Sequence, residues 1–256
     1  MDESKSRLIY ISSDNRIQNG GASTTTNYTI DLGASSMLHK VSRVTLKSCS
    51  FVNAAYNVRA GVNDIIKWNH NAIDYQATIQ AGFYNTTVLR GVLKTEMDLA
   101  MAGAGVTVTI TQNPITGKLE FAWSVAGGFI YDFAGGSTIS PEIGFITLQV
   151  GSNPSVADKQ PSLEGLTHAF LHSSVLAPAN MVYSNQDLKS TVVDVPVTVP
   201  YGFTNHYEPY DSETASRNYD TPTDIRLITI SFEGGDGSPL DINGFETELV
   251  FKVYFA

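Results

Sequence analysis

Three side chains that commonly ligate zinc recur at a spacing of four in the segment EGLTHAFLH: Glu164, His168 and His172. On an α-helix, residues four apart share a face, so these three would converge on one metal ion. The continuation SSVLAP is apolar and serine-rich, which favours a strand. In a strand, residues four apart lie about 13 Å from each other, too far to share one metal ion. We therefore predict no metal site here.

Carboxylates and amides alternate in the closing stretch GGDGSPLDINGFETELVFKVYF, residues 234–255. A calcium loop of the EF-hand type requires the order D-x-[DN]-x-[DN]-G before a distal glutamate, and neither aspartate starts that order. Because Asp-Gly and Asn-Gly are strong turn signals, we expect Asp236, Asp241 and Asn243 to shape turns. The alternation that follows predicts a final strand with four core residues: Leu249, Phe251, Val253 and Phe255.

The rest of the chain carries no recognised catalytic motif. The sequence contains no GxSxG elbow, no Walker A loop and no HExxH motif. His39, His70 and His206 are scattered. The carboxylates of SSDNR, IDYQ and PYDSE would make a glycosidase pair only where the fold brings two within about 5–10 Å, which the linear sequence leaves open. We predict no catalytic, cofactor-binding or metal-binding residue, and the chain is not expected to be an enzyme.

Alternation with a period of two dominates the elements that must position these side chains. Residues 106–111 and 119–125 alternate around the turn NPITGK and predict a hairpin. The segments LIYISS, NYTIDL, DIIKW, FITLQV and IRLITISF predict further strands. In VVDVPVTVP, Pro196 and Pro200 lack N–H donors on the same side, which predicts a strand at the edge of a sheet or an irregular ladder.

One segment has helical spacing instead. Apolar residues between Leu89 and Met101 predict a helix near residues 86–102, with Asn85 or Thr86 as its N-cap and Gly103 after its end. We expect its apolar stripe to pack against a sheet. The polar, tyrosine-rich residues 201–223 predict a long loop that binds something or reaches another chain.

Composition excludes some classes of partner. The chain has 256 residues, 42% hydrophobic and 16% charged, with a net charge of −9. This balance disfavours binding to nucleic acid or to anionic lipid. No apolar run has the length of a signal peptide or a membrane span. The single cysteine, Cys49, alternates like a strand residue and is expected to be a buried thiol, in a protein assembled in a reducing compartment.

Several segments, taken in order, resemble the penton (vertex) capsid proteins of virophages, polinton-like viruses and large nucleocytoplasmic DNA viruses, a single jelly-roll family. They are SSDNR, NYTIDL, VSRVTLKSCSFVNAAYNV, AGFYNTTVLRGVLKTEMDLA, VTVTITQNPITGKLEFAW, PEIGF, VPVTVPYGFTNHYEP and LITISFEGGDGSPLDINGFETELVFKVYF. The order of these segments, together with the closing DGSPLDINGFE, carries the resemblance. Residues 111–180 are the least similar to the family.

The resemblance implies an all-β fold: a single jelly-roll β-sandwich of two antiparallel sheets, with one helix near residues 86–102 and long loops. It implies a flexible arm over residues 1–6 and one domain over residues 7–256. Enlarged loops or an insertion are expected within residues 111–180. This division into an arm and one domain is inferred from the resemblance and not from composition.

The same resemblance implies a structural role in a virion. Five copies would form a homopentamer at each icosahedral vertex, in contact with a major capsid protein of the double-jelly-roll type. Synthesis would take place in the host cytoplasm or a viral factory. The alternative is a β-sandwich recognition module that binds a receptor or carbohydrate as a minor capsid or spike component. Its candidate contacts are the aromatic residues Tyr201, Phe203, Tyr207, Tyr210 and Tyr219.

Overall fold

The architecture is all-β, as expected. The computed structural model describes residues 5–17, 24–125, 129–131, 136–147, 149–150, 153–176, 180–184, 187–191, 193–210 and 215–256. Strands dominate this part of the chain, together with the single helix α1 (Thr86–Ala100). No helix in these ranges has the length and apolar content that crossing a bilayer requires.

Two compact units divide the chain. The first comprises Met1–Ala55 and Leu166–Ala256, and the second comprises Tyr56–Gly165. The strands are, in chain order, β1 (Ser6–Ser12), β2 (Asn27–Asp31), β3 (Leu38–Val52), β4 (Ile65–His70), β5 (Ile73–Thr78), β6 (Val108–Gln112), β7 (Leu119–Trp123), β8 (Phe129–Tyr131), β9 (Gln149–Val150), β10 (Ser155–Val156), β11 (His168–Ser173), β12 (Asn180–Ser184), β13 (Asp187–Thr191), β14 (Val193–Pro196), β15 (Thr204–Tyr207), β16 (Ser216–Ile225), β17 (Leu227–Gly234) and β18 (Thr247–Phe255).

The first unit is a jelly roll. One antiparallel sheet has the order β1-β18-β3-β15, with β16 continuing along β3, and the other has the order β14-β11-β17-β2. The first and last strands of the chain are therefore neighbours, and the second strand pairs with the second-to-last. With β15 and β16 counted as one interrupted strand, this is the eight-stranded, two-sheet order of a jelly roll. The predicted fold class is confirmed.

Alternate residues of both sheets fill the core of the first unit. Phe51 of β3 and Phe232 of β17 meet across the two sheets with their ring centroids 5.8 Å apart. The hydrophobic core around them includes Ile11, Val44, Leu46, Leu171, Ile230, Leu249, Phe251 and Val253. The core thus joins the two sheets that the strand order places face to face.

The closing stretch forms turns and then the final strand, as predicted. Asp236 Oδ1 accepts hydrogen bonds from the N–H and hydroxyl of Ser238 at 3.0 and 2.6 Å. Asp241 Oδ1 accepts from the N–H of Asn243 at 2.8 Å. Asn243 has a φ of +55°, a left-handed conformation that asparagine tolerates well. These carboxylates therefore order backbone at the entry to β18.

Three of the four predicted core residues of β18 are buried: Leu249, Phe251 and Val253. The prediction was wrong in degree for Phe255, which is only partly buried against the core. The reason is its place at the end of the strand, where its partner is Val41 and the guanidinium of Arg7 lies 5.8 Å from its ring centroid. The sheet ends there, so solvent reaches the ring.

A bidentate ion pair links β2 to the residue before β17. Arg226 donates from Nε and Nη2 to the two carboxylate oxygens of Asp31 at 2.9 and 2.8 Å. These bonds, with a weaker one from the N–H of Gly33, lower the pKa of Asp31 from 3.8 to about 2. The pKa is lowered on folding, so the pair stabilises the fold above about pH 4 and this contribution is lost as the pH falls toward 2.

We expect Arg226→Ala to raise the pKa of the Asp31 carboxyl toward 3.8, because the largest cause of its lowering is removed. NMR titration of the side-chain carboxyl carbon measures this directly. Arg16→Ala is the control, since Arg16 donates to a backbone carbonyl, that of Ser13 at 2.8 Å. A pKa of Asp31 that stays near 2 in Arg226→Ala contradicts the ion-pair assignment.

Cys49 is buried in β3, as predicted, and its burial raises the pKa of the thiol to about 12. A thiol with such a pKa is almost entirely protonated near neutral pH. We expect the native protein to be unreactive toward a thiol-specific reagent and to become reactive on unfolding. Ser48→Cys, at a half-buried position on the same strand, is the matched control and should react in the native state. Rapid native labelling of Cys49 itself would contradict its place in the core.

The second unit contains the helix and two small sheets. Their orders are β5-β4-β8-β9 and β10-β7-β6. The predicted hairpin is confirmed as β6 and β7, paired from Val108–Trp123 to Gln112–Leu119. Helix α1 contacts β5 and β6. Its buried residues are Leu89, Leu93 and Met97, so the apolar stripe packs against strands as predicted.

The helix begins where the sequence predicts and ends differently. Asn85 is the N-cap, and its Oδ1 accepts from the N–H of Val88 at 2.9 Å. After Met101 the chain continues in a 3-10 turn over Ala102–Ala104, and Gly105 adopts the left-handed φ of +65°. The prediction that Gly103 ends the helix was therefore wrong. The chain tightens into a 3-10 turn before it leaves the helix. The left-handed residue is therefore Gly105, two residues after the predicted Gly103.

Two strand predictions differ in outcome. Strand β14 pairs only with β11 among the described strands, so the predicted edge position of the proline-bearing segment is confirmed.

The loop predicted over residues 201–223 was wrong, because β15 and most of β16 lie in it and pair with β3. Strand β16 is mostly exposed and its pairing register shifts, which explains why it lacks an apolar alternation. Within FITLQV, the described strand is limited to β9.

The predicted division into an arm and one domain stays a prediction. Residues 1–4 of the predicted arm over residues 1–6 lie outside the described residues, and Ser6 already belongs to β1. The second compact unit overlaps the range 111–180, where enlarged loops or an insertion were expected, and it begins earlier, at Tyr56.

Candidate assembly surface

The two histidines of EGLTHAFLH lie on strand β11, as the strand interpretation requires. His168 Nδ1 lies 2.8 Å from Asp194 Oδ1 of β14, and His172 Nε2 lies 3.9 Å from Glu233 Oε2 of β17. Each histidine therefore faces a different neighbouring strand. Glu164 lies outside β11. Across the described ranges, no three histidine, cysteine or acidic side chains are grouped so that they could hold a metal ion.

The other carboxylate candidates lie in separate parts of the chain. Asp14 of SSDNR lies in a 3-10 turn, where its N–H donates to the hydroxyl of Ser12 at 3.2 Å. Asp74 of IDYQ accepts from the side-chain amide of Asn69 at 2.8 Å. Asp211 and Glu213 of PYDSE lie outside the described residues.

The outer face of the β1-β18-β3 sheet is formed by the residues that alternate with core residues. Across this face the strand register places Tyr10 beside Val250, Leu8 beside Lys252, Tyr254 beside Arg43 and Glu248 beside Ser50. Leu8 and Tyr10 are 51% and 74% exposed. The face therefore carries exposed apolar and aromatic groups in an arrangement that the sheet holds rigid.

An acidic pocket opens at one end of this face. It has a volume of about 380 Å³, and its lining residues are Ser50, Phe51, Val52, Thr204, Gly244, Phe245, Glu246 and Glu248. The end of β3, the start of β15, the turn before β18 and the start of β18 supply them. Phe51 is buried beneath the pocket, and Phe245 is 50% exposed. Two carboxylates thus stand beside an apolar and aromatic surface.

A chain of hydrogen bonds runs along the rim of the pocket. Ser50 Oγ and His206 Nδ1 are 2.7 Å apart, and His206 Nε2 lies 3.2 Å from Glu208 Oε1. Serine, histidine and carboxylate in this order could in principle activate a nucleophile. The side chains of His206 and Glu208 are 55% and 72% exposed, so water competes for both bonds. We assign the chain of bonds to the pairing of β3 with β15, where Ser50 and His206 are register partners.

A basic–aromatic patch of Arg43, Lys252 and Tyr254 occupies the other end of the outer face. The Arg43 guanidinium lies 5.7 Å from the centroid of the Tyr254 ring, and Lys252 Nζ lies 5.0 Å from the same centroid. These cation–π contacts hold both cations over one ring, and all three residues are half-buried. Arg43 and Ser50 are seven positions apart along β3, about 23 Å at strand rise.

The aromatic residues singled out for a recognition role are not one exposed cluster. Phe203 is 63% exposed and Tyr210 is fully exposed. Tyr201, Tyr207 and Tyr219 are partly buried against the core. Burial raises the pKa of Tyr207 and that of Tyr219 above the ordinary value. Neither the acidic pocket nor the basic–aromatic patch was predicted from the sequence, because the pocket depends on the register of three strands and the patch on the register of two.

Comparison with known proteins finds likenesses among solved structures only. No family model matches the chain, and no curated protein matches it. Among solved structures, the chain is similar to the crystal structure of the selenomethionine-labelled mavirus penton protein, with a TM-score of 0.46 and 10% sequence identity over 97% of this chain and 99% of that chain. The jelly-roll fold itself follows from the strand order of the first unit.

Proposed function

We propose that this chain is a structural capsid protein that forms the pentameric vertex, or penton, of an icosahedral virion. It acts by self-assembly and by contact with a major capsid protein of the double-jelly-roll type, after synthesis in the host cytoplasm or a viral factory. No step of catalysis is part of this role. The net charge of −9 disfavours a broad contact with the genome.

The observation that carries the proposal is the strand order of the first unit. An eight-stranded jelly roll is a recurrent architecture of viral capsid proteins, and it also occurs in lectins and cupins. The closing stretch that resembles the penton family forms the entry turns and body of β18, which lies between β1 and β3. The resemblance and the topology therefore meet in the same segment.

Size measurement tests the proposal. We expect light scattering to show a closed pentamer, either for the purified chain or after it is mixed with the major capsid protein of the same virus. Electron microscopy of the same sample should show five-membered rings. A chain that stays monomeric in both samples and does not associate with the major capsid protein contradicts the proposal.

A second candidate is a recognition module that binds a receptor or carbohydrate. The exposed rings of Phe203, Tyr210 and Phe245 favour it, because aromatic faces stack on sugar rings and hot spots are rich in aromatic residues. A glycan array distinguishes the two. Binding that is lost in Phe203→Ala and kept in Phe83→Ala would favour recognition, since Phe83 is also exposed but lies in the second unit.

A further inference from the structure

We propose that the acidic pocket of one copy of this chain binds the basic–aromatic patch of a second copy, head to tail. The inference rests on the proposed self-assembly and adds the surfaces and the chemistry that carry it. The partner is a second copy because the chain presents both halves of a complementary pair on one sheet.

The pocket has the chemistry of a receptor for a cationic side chain. Within the described ranges, the side-chain carboxylates of Glu246 and Glu248 make no hydrogen bond and no ion pair. Two carboxylates next to each other suit a guanidinium or ammonium group, and the Phe245 ring beside them offers a face for stacking. The Ser50 hydroxyl, held by His206, completes a polar rim.

The patch has the complementary chemistry, and its Arg43 cannot reach the pocket of its own chain. Arg43 and Lys252 both lie over the ring of Tyr254. The rigid sheet keeps Arg43 about 23 Å from Ser50, several times the reach of its side chain. An Arg43 guanidinium that enters the pocket therefore belongs to another copy of the chain.

Two different patches on one chain make a heterologous contact. Each copy gives its patch to one neighbour and its pocket to another, so the contact propagates and closes into a ring when the rotation allows. Because the chain carries a net charge of −9, most approaches between two copies are repulsive. The patch is then the surface that can face the pocket without electrostatic repulsion. This requirement fixes the orientation of the neighbouring copies.

Charge reversal tests the inference with three variants. The first reverses the pocket (Glu246→Lys with Glu248→Lys), the second reverses the patch (Arg43→Glu with Lys252→Glu), and the third carries all four changes. We expect sedimentation velocity to show self-association at least about tenfold weaker in the first two variants and restored in the third. Self-association of the natural chain should also weaken as sodium chloride is raised.

A control separates the contact from net charge. Glu96→Lys with Glu164→Lys makes the same change in net charge as the pocket variant, at two residues of the second unit. Its self-association should not weaken. Thermal melting followed by circular dichroism establishes that each variant is folded before its association is compared.

Mixing the pocket and patch variants gives a further result. Each contact between unlike variants is attractive and each contact between like variants is repulsive, so the two should alternate in even-numbered or open assemblies and never close a five-membered ring. The inference is overturned by a natural chain that does not self-associate up to its solubility limit, by reversed variants that associate normally, or by a four-fold variant that is not rescued. Imaging the virion tests the proposed vertex location of the chain. That location can therefore be supported or contradicted independently of the contact between pocket and patch.

Discussion

Leu249→Ala is expected to lower the free energy of unfolding of the first unit by about 2–5 kcal/mol. Leu249 is 1% exposed, in the strand that lies between β1 and β3. Its removal leaves a cavity between the two sheets of the jelly roll, and close-packed surroundings collapse only partly into such a cavity. This is the largest effect that we expect from a single change in the first unit.

The register supplies a probe for this measurement. Leu249 pairs with Ile11 on one side and with Cys49 on the other. Because the Cys49 thiol is buried, its labelling in increasing urea follows the unfolding of the same sheet. The midpoint of labelling should move to a clearly lower urea concentration in Leu249→Ala.

Leu8→Ala is the matched control. The same chemical change is made in the adjacent strand β1, at a residue that is 51% exposed on the outer face. We expect the free energy of unfolding to fall by no more than about 0.5 kcal/mol, as for most surface substitutions. Equal losses for Leu8→Ala and Leu249→Ala would contradict the inward and outward assignment of alternate residues.

Gly144→Ala is expected to destabilise the second unit by about 3 kcal/mol. Gly144 has a φ of +85°, and a Cβ at this position would lie 2.3 Å from the carbonyl oxygen of Lys159. The same two segments are joined by the N–H of Lys159, which donates to the Gly144 carbonyl at 2.9 Å. The backbone cannot move away from the added methyl group without loss of that bond.

Gly105→Ala isolates the part of this effect that is due to backbone conformation. Gly105 also has a positive φ, +65°, and a Cβ there would have no neighbour within 4 Å. We expect Gly105→Ala to lower the free energy of unfolding by about 1–2 kcal/mol, the cost of a left-handed conformation alone. Both tryptophans, Trp68 and Trp123, are in the second unit, so tryptophan fluorescence in urea measures both variants. A loss in Gly144→Ala no larger than that in Gly105→Ala would contradict the close approach of Lys159.

Strands with one buried face could be predicted from the sequence. The final strand and the hairpin of β6 and β7 both alternate cleanly, because each has one face in a core and one toward solvent. The edge position of β14 also followed from the sequence, since proline removes the donor that an inner strand needs. In these segments the local pattern and the burial that the fold imposes agree.

Segments without a buried face could not be predicted in this way. Strand β16 is held by pairing with β3 rather than by burial, so its polar residues read as a loop. The helix end was misplaced because glycine spacing does not reveal whether the last turn tightens before the chain leaves it. In both cases the deciding interactions are backbone hydrogen bonds, and the pattern of side chains along the sequence does not reveal them.

The surface that we assign to assembly was also beyond the sequence. Glu246, Glu248 and Ser50 meet only because β18 pairs with β3 in one register, nearly two hundred residues apart along the chain. Alternation shows which face of a strand is buried, and it does not show which strand lies beside it. The acidic residues of the closing stretch thus separate into turn formers, Asp236 and Asp241, and pocket residues, which follow them.

Cryo-electron microscopy of the parent virion tests the proposed role most directly. We expect density at each icosahedral five-fold vertex into which five copies of the jelly-roll unit fit, with the acidic pocket of each copy facing the basic–aromatic patch of its neighbour. Vertices built from a different protein, with this chain absent from them, would contradict the proposed function.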